Sequence, residues 1–302
     1  MTGALITTVG KTNHKNSFSP ERQIGGISAL ERIVLLLQMA GIKRIAVVGD
    51  EDSCLQKLVP SMNLVFLTAS SQGEMLDSIK EGISYLQDTC KEIFIVHVNM
   101  PMFSQETVQK LLSAKEEVCI PQYQGRCGHP VLIRQSCFEK ILSYEGGNGL
   151  RGAIEKTGCQ PCFIETDDMG ILSDDVTDIS YEMMSQHHDV KKLSPVIQLF
   201  IRKERLFYGP EVRQLLQLTK ENGSLSSACQ HMGISYTKGR KMISRMEEQT
   251  GNPVLETKQG GRTGGSSQLT ENAEQIMLCY DAFQQEAEEA VKMIFQKYFG
   301  KN

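Results

Sequence analysis

Up to about residue 190 the chain alternates short apolar runs with amphipathic stretches, and nothing else in it constrains the fold as strongly. Segments 5–9 (LITTV), 44–49 (RIAVVG), 64–68 (LVFLT), 92–98 (EIFIVHV) and 129–133 (HPVLI) read as strands. Segments 28–41, 74–87, 104–114 and 136–143 read as helices; the first carries Leu30, Ile33, Val34 and Leu37 at helical spacing and stops at Gly41. Such alternation implies a mostly parallel sheet with helices on both faces, a three-layer, Rossmann-like α/β domain over residues 1–190. Small molecules bind such folds at the carboxyl ends of the strands, so the loop after segment 5–9 is the first place to expect one.

The pattern changes after His187 and His188. Residues 191–302 read as a second, mainly α domain. It opens with a β-ribbon at 194–208 and ends in a single long helix over 270–299. Between them, residues 224–250 have the spacing of a helix-turn-helix. Ser224 caps a short helix, Gly233 makes a tight turn and Ser235 caps the next helix. Ala228, Met232, Ile234, Met242 and Ile243 fall where two crossing helices must bury each other. From Ser235 onward the second helix displays Tyr236, Thr237, Lys238, Arg240, Lys241 and Arg245, side chains suited to base edges and phosphates. A glycine-rich hairpin follows with Lys258 and Arg262, a basic wing able to lie along a groove of double-stranded DNA.

Charge is distributed to match. The chain carries a net −4, yet residues 202–270 hold 11 basic and 6 acidic side chains, while 1–201 hold 18 and 24 and 271–302 hold 3 and 6. A basic block inside an acidic protein is the footprint a polyanion requires. Forty per cent apolar residues rule out a disordered chain, and the longest wholly apolar run, Ile33 to Leu37, is far below the roughly 20 residues of a membrane span, so no membrane partner is expected. The start MTGALITTVGK lacks the basic n-region and apolar core of a secretory signal, and nine scattered cysteines suit a reducing compartment; a cytoplasmic location is expected. Cys159 and Cys162 form one C-x-x-C with no second pair to complete a zinc site.

The segment from Gly223 to Thr270, with its Gly-Ser-Leu-Ser start, Ser-Tyr opening of the recognition helix and Gly-Gly-Arg-Thr-Gly-Gly wing before Leu-Thr, resembles the winged helix of bacterial molybdate-responsive regulators of the ModE and LysR type. The likeness covers residues 194–285. It departs from the family in lacking the usual aromatic near Lys241 and Met242, and no molybdate-binding domain is expected after it. In the last helix Ala273, Tyr280, Ala287 and Ile294 repeat every seven residues, with Ile276, Phe283 and Ala290 interleaved. Such a seam either pairs two subunits as a homodimer or docks on its own winged helix.

The first domain resembles the molybdenum-cofactor nucleotidyltransferases of the MobA and MocA type over about residues 4–185. GRCGHPVLI (125–133) and GGNGLRGAI (146–154) carry the likeness most specifically. It implies a phosphate cradle at Gly10 with Lys11 and Lys15, nucleotide-side contacts from Gly73 and Ser78, and substrate contacts from His129 and Arg151. It also implies Mg²⁺ with CTP or GTP, and molybdopterin or a related small molecule as substrate or effector. Against the family pattern, His14 and Ser19 replace a basic pair, Asn99 stands for a metal-binding Asp, and Asp178 keeps one acidic position while Ser180 takes its partner's. An amide oxygen brings no negative charge to a cation that favours carboxylates. His129 also reads as a turn residue entering a strand, and Arg151 as a surface ion-pair partner. Two readings remain: a transcriptional regulator whose nucleotidyltransferase fold has been kept to bind an effector, and a working transferase with a DNA-binding tail.

Overall fold

The computed structural model describes residues 1–8, 19–50, 55–59, 62–69, 74–172, 190, 192–258 and 266–300, and its chain divides into two compact units, Met1–Lys192 and Leu193–Asn302.

In the first unit β1 (Thr2–Thr7) leads, after the two-residue strands β2 (Gln23–Ile24) and β3 (Ile27–Ser28), into α1 (Ala29–Met39). Then follow β4 (Arg44–Gly49), α2 (Leu55–Leu58), β5 (Val65–Thr68), α3 (Met75–Leu86), β6 (Glu92–His97) and α4 (Gln105–Ser113). Next come β7 (Val118–Tyr123), β8 (Arg126–Cys127), β9 (Val131–Arg134), α5 (Phe138–Leu142), α6 (Gly149–Lys156) and β10 (Pro161–Glu165). Helix starts follow their capping chemistry. Ser28 Oγ accepts from Glu31 N, Ser104 Oγ from Thr107 N, and Glu74 with Asp77 forms a reciprocal box at α3.

The sheet runs β10-β7-β9-β6-β1-β4-β5, with β8 paired to β7. It is parallel except where β9 lies antiparallel between β6 and β7 and where β8 folds back on β7. Alternate residues of each strand serve opposite layers. Ala4, Ile6, Val47, Phe94, Val96 and Leu132 form one core with α1 and α4, whereas Leu5 faces Gly82 of α3 on the other side. Helices therefore cover both faces in three layers, as the alternation predicts.

The second unit opens with a two-strand ribbon, β11 (Ile201–Arg202) and β12 (Leu206–Tyr208), shorter than the ribbon read at 194–208 because residues 193–200 pair with no strand among the described residues. Helices α7 (Pro210–Asn222), α8 (Leu225–His231) and α9 (Tyr236–Thr250) follow, then the antiparallel hairpin β13 (Leu255–Lys258) and β14 (Ser266–Leu269), and last α10 (Glu271–Phe299), 29 residues capped by Thr270. No helix among the described residues is long and apolar enough to cross a membrane.

Two candidate sites, one in each unit

Chain order reverses direction at β1: β4, which follows it, lies on one side and β6 on the other. That is the switch point at which open α/β sheets form a crevice beyond their carboxyl ends. Thr7 and His97 are register partners there, and Val98 N donates to Thr7 O at 3.0 Å. Thr8 closes the neighbouring corner, its N and Oγ1 each 3.0 Å from Val48 O.

Asn99 follows β6 at this end of the sheet. Its backbone N–H donates to His97 Nδ1 at 3.3 Å. His97 is 7% exposed, a buried polar group at a sheet end, and the carboxamide oxygen of Asn99 is shielded from solvent. His97 escapes the sequence reading; its signal is the lone polar residue near the end of the apolar run EIFIVHV.

His129 reaches the same end of the sheet because β9 runs antiparallel to β6, with Val131 opposite Ile95. Its ring Nδ1 lies 3.1 Å from Ile95 O and its backbone N–H donates to Ile171 O at 3.0 Å. Gly128 before it packs so closely on the Ile171 carbonyl that a Cβ would collide with it. The segment carrying Ile171 is held in turn by Asp168, whose carboxylate accepts from Ser104 N at 2.6 Å, Thr107 Oγ1 at 2.6 Å and Gly170 N at 2.9 Å. Asp168 thus ties the start of α4 to the turn behind His129.

The remaining expected contacts separate. Ser78 is 3% exposed on the sheet-facing side of α3. Arg151 points outward from α6, 86% exposed and paired with Glu155 at 2.8 Å, the surface ion pair that the sequence also allows. Gly10, Lys11, Lys15, Gly73 and Asp178 lie outside the described residues. Among the described residues no three His, Cys, Asp or Glu side chains gather as metal ligands, and Asn99 alone does not fit Mg²⁺, which wants several hard oxygen donors. Nor do Cys159 and Cys162 form a metal site among the described residues. Burial pushes the thiols of Cys119 and Cys137 up to about 11 and about 12, far from the thiolate form.

In the second unit Ser224 Oγ accepts from Ser227 N, Gly233 turns with φ 64°, and Ser235 Oγ accepts from Lys238 N. Ala228 and Ile243 are buried, and Met232, Ile234 and Met242 are half-buried. Gly239 lies against Cys229 Sγ with no room for a Cβ, so α8 and α9 approach closely. One face of α9 (Gly239, Ile243, Met246) is buried within the unit. Ser235, Tyr236, Thr237, Lys238, Arg240, Lys241 and Arg245 are all exposed. The hairpin is anchored beside them: Val254 N donates to Glu247 Oε1 at 3.0 Å and Ser267 N to Gly223 O at 2.8 Å. Lys258 ends β13 opposite Ser266; its side chain and Arg262 are outside the described residues.

The heptad seam of α10 divides. Ala273 and Tyr280 are buried within the unit, whereas Phe283 and Ile294 are 53% and 56% exposed.

Residues 20–161 match the family model of the MobA-like NTP transferase domain. A nucleotidyl transferase from Methanothermobacter shares the fold at TM-score 0.51 and 15% identity, covering 62% of this chain and 97% of that one. The 4-diphosphocytidyl-2C-methyl-D-erythritol synthase of Anaerococcus prevotii does so at TM-score 0.50 and 14% identity, covering 62% and 96%. "Transcriptional regulator ModE" of Haemophilus influenzae is 28% identical over 92 residues, 30% of this chain and 36% of that protein. Its counterpart from Yersinia pestis is 31% identical over 93 residues, 30% of this chain and 35% of that protein. The chain thus spans about a third of the length of these curated relatives. Residues 20–161 are therefore similar to the MobA-like NTP transferase domain, and a further stretch of about 92 residues is similar to the ModE regulators.

Proposed function

We propose that this protein is a DNA-binding transcriptional regulator, acting as a homodimer, whose MobA-like domain binds a nucleotide or a molybdenum-cofactor-related effector. The observation that carries this reading is the outward face of α9. A Ser-capped helix packs by one side on α8 and leaves Tyr236, Thr237, Lys238, Arg240, Lys241 and Arg245 exposed beside an anchored hairpin. Helix, turn, helix and hairpin in this order are the parts of a winged helix-turn-helix, whose second helix enters the major groove. Similarity to proteins named as transcriptional regulators supports the same reading. The exposed Phe283 and Ile294 of α10 supply an apolar seam for a second copy, which would set the spacing of two recognition helices on a palindromic site. The carboxyl end of the sheet at the β1–β6 switch point, near Asn99 and His129, is the place for that effector.

A second reading, an active nucleotidyltransferase of CTP or GTP, is favoured by the match over residues 20–161. Against it stands Asn99 where a carboxylate is expected. Two measurements separate them. Selection of duplexes from genomic fragments tests the first reading, and a failure to enrich any duplex in a salt-sensitive manner sinks it. Pyrophosphate release from CTP or GTP with Mg²⁺ and molybdopterin tests the second.

A further inference from the structure

The first turns of α7 and α9 meet at one ion pair. Glu211 Oε1 lies 3.4 Å from Lys238 Nζ, and both side chains are about half exposed, at 52% and 51%. Helix α7 starts at Gly209 with no side-chain cap, so the Glu211 carboxylate also sits at the positive end of that helix. The backbone of Lys238 is pinned through its N–H to Ser235 Oγ at 3.2 Å, which leaves the four-carbon stem as the mobile part. Among the described residues, Lys238 is the cation of α9 held by a carboxylate; Lys241 and Arg245 on the same side of the helix, and Arg240 farther round it, form no such ion pair.

We propose that Glu211 is a specificity-determining residue of the DNA interface, its carboxylate occupying Lys238 where a phosphate would otherwise sit. The inference rests on the DNA-binding reading above and deepens it. A lysine that neutralises a phosphate releases counterions and strengthens binding to every sequence alike. Holding that lysine on Glu211 removes part of this sequence-independent attraction. On a correct site the base contacts of the other residues bring a phosphate close enough to displace the carboxylate, so non-specific binding suffers more than specific binding and the ratio between them rises. Exposed pairs of this kind are weak enough to be displaced, worth a factor of about 1.4 to 5 in an equilibrium constant.

The test uses the full chain as wild type, Glu211→Gln, Lys238→Met and the double variant, titrated over a salt series. The probes are a random-sequence duplex and a duplex that the wild type itself selects. Glu211→Gln should tighten binding to the random duplex by about 2- to 5-fold and steepen its log–log salt dependence by about one. The gain on the selected duplex should be smaller, and in the Lys238→Met background Glu211→Gln should change nothing. A gain that survives in that background means Glu211 only repels DNA as an isolated charge, and overturns the proposal. Unchanged binding by Glu211→Gln, with Lys238→Met still weakening it, removes the inference and leaves the DNA-binding reading standing. No salt-sensitive binding by the wild type removes both.

Discussion

Arg213 of α7 grips both carboxylate oxygens of Asp281 of α10, with Nε 2.7 Å from Oδ1 and Nη2 2.6 Å from Oδ2. Farther along the same two helices Lys220 Nζ lies 2.7 Å from Glu274 Oε1, so the start of α10 runs antiparallel to α7. Between these pairs and the ribbon, the rings of Tyr208 and Tyr280 pack 4.9 Å apart, and Tyr280 OH donates to Leu199 O at 2.9 Å. Burial pushes the Tyr208 phenol well above its ordinary range. These contacts fix the direction in which α10 leaves the unit.

The two ion pairs should therefore differ in worth. Arg213 is 26% exposed and bidentate, whereas Lys220 is 51% exposed with a single contact. Asp281→Ala leaves a partly buried guanidinium without its partner and should cost about 1–3 kcal/mol. Glu274→Ala should cost less than about 1 kcal/mol. Urea unfolding of the full chain, followed through its helical signal, reads both; equal losses would mean that the bidentate geometry contributes nothing.

Gly239 gives a sharper test of the α8–α9 contact. Alanine in place of an internal helix glycine ordinarily adds about 1 kcal/mol of stability. Here its methyl would meet Cys229 Sγ, a side chain 2% exposed, so Gly239→Ala should instead destabilise by about 1–3 kcal/mol. Removing the sulfur in Gly239→Ala with Cys229→Ala should recover most of that loss. If the double variant is no better than the single one, the collision is not the cause.

On the DNA face Arg240 and Lys258 should behave differently. Arg240→Ala should cost about 1–3 kcal/mol on a selected duplex and relax the preference at one position, because a guanidinium reads base edges. Lys258→Ala should weaken all sequences alike and flatten the salt dependence by about one. Competition titrations with point-mutated duplexes show which pattern each variant follows, and a uniform loss for Arg240→Ala would reassign it to the phosphates.

Much of this architecture is legible in the sequence, for identifiable reasons. Segment 44–49 emerges as β4 because it is a short apolar run, and segment 28–41 as α1 because its helical spacing is clean and Ser28 and Gly41 punctuate it. Strand β7 is hidden by Pro121, which usually argues against an inner strand. The sheet tolerates it because the pairing with β9 covers only Val118 and Cys119, leaving Pro121 beyond that ladder. Helix α6 is hidden by Gly149 and Gly152, poor helix formers that its packing overrides. At the sites, exposure of the α9 face follows from its period and caps. The placing of His129 at the same end of the sheet as His97 and Asn99 does not, because it depends on β9 being antiparallel to β6, a pairing that no local pattern encodes.

At the crevice, Asn99 should govern divalent-metal affinity. With an amide at this position and Ser180 in the second acidic motif, Mg²⁺-dependent pyrophosphate release from CTP or GTP should be absent or very slow. The double change Asn99→Asp with Ser180→Asp should strengthen Mn²⁺ or Mg²⁺ binding in calorimetry, with turnover not required for the readout. Robust release by the wild type would instead establish the transferase reading.

The last prediction concerns the two activities together. If the MobA-like domain senses an effector for the DNA-binding unit, the effector must bind the DNA-competent and DNA-incompetent states unequally, since equal affinity shifts no population. Couplings of this kind usually change affinity by about 5- to 150-fold. A cytidine or guanosine nucleotide, or molybdopterin, should therefore shift affinity for a selected duplex by a factor in that range. Linkage fixes the converse: the same duplex must change the ligand's affinity by the same factor, in the same direction. Calorimetric titration of each ligand with and without saturating duplex measures one side, and duplex titration with and without ligand the other. Agreement between the two factors establishes coupling. Ligand binding that ignores the duplex, with duplex binding that ignores the ligand, would mean that the two units act independently.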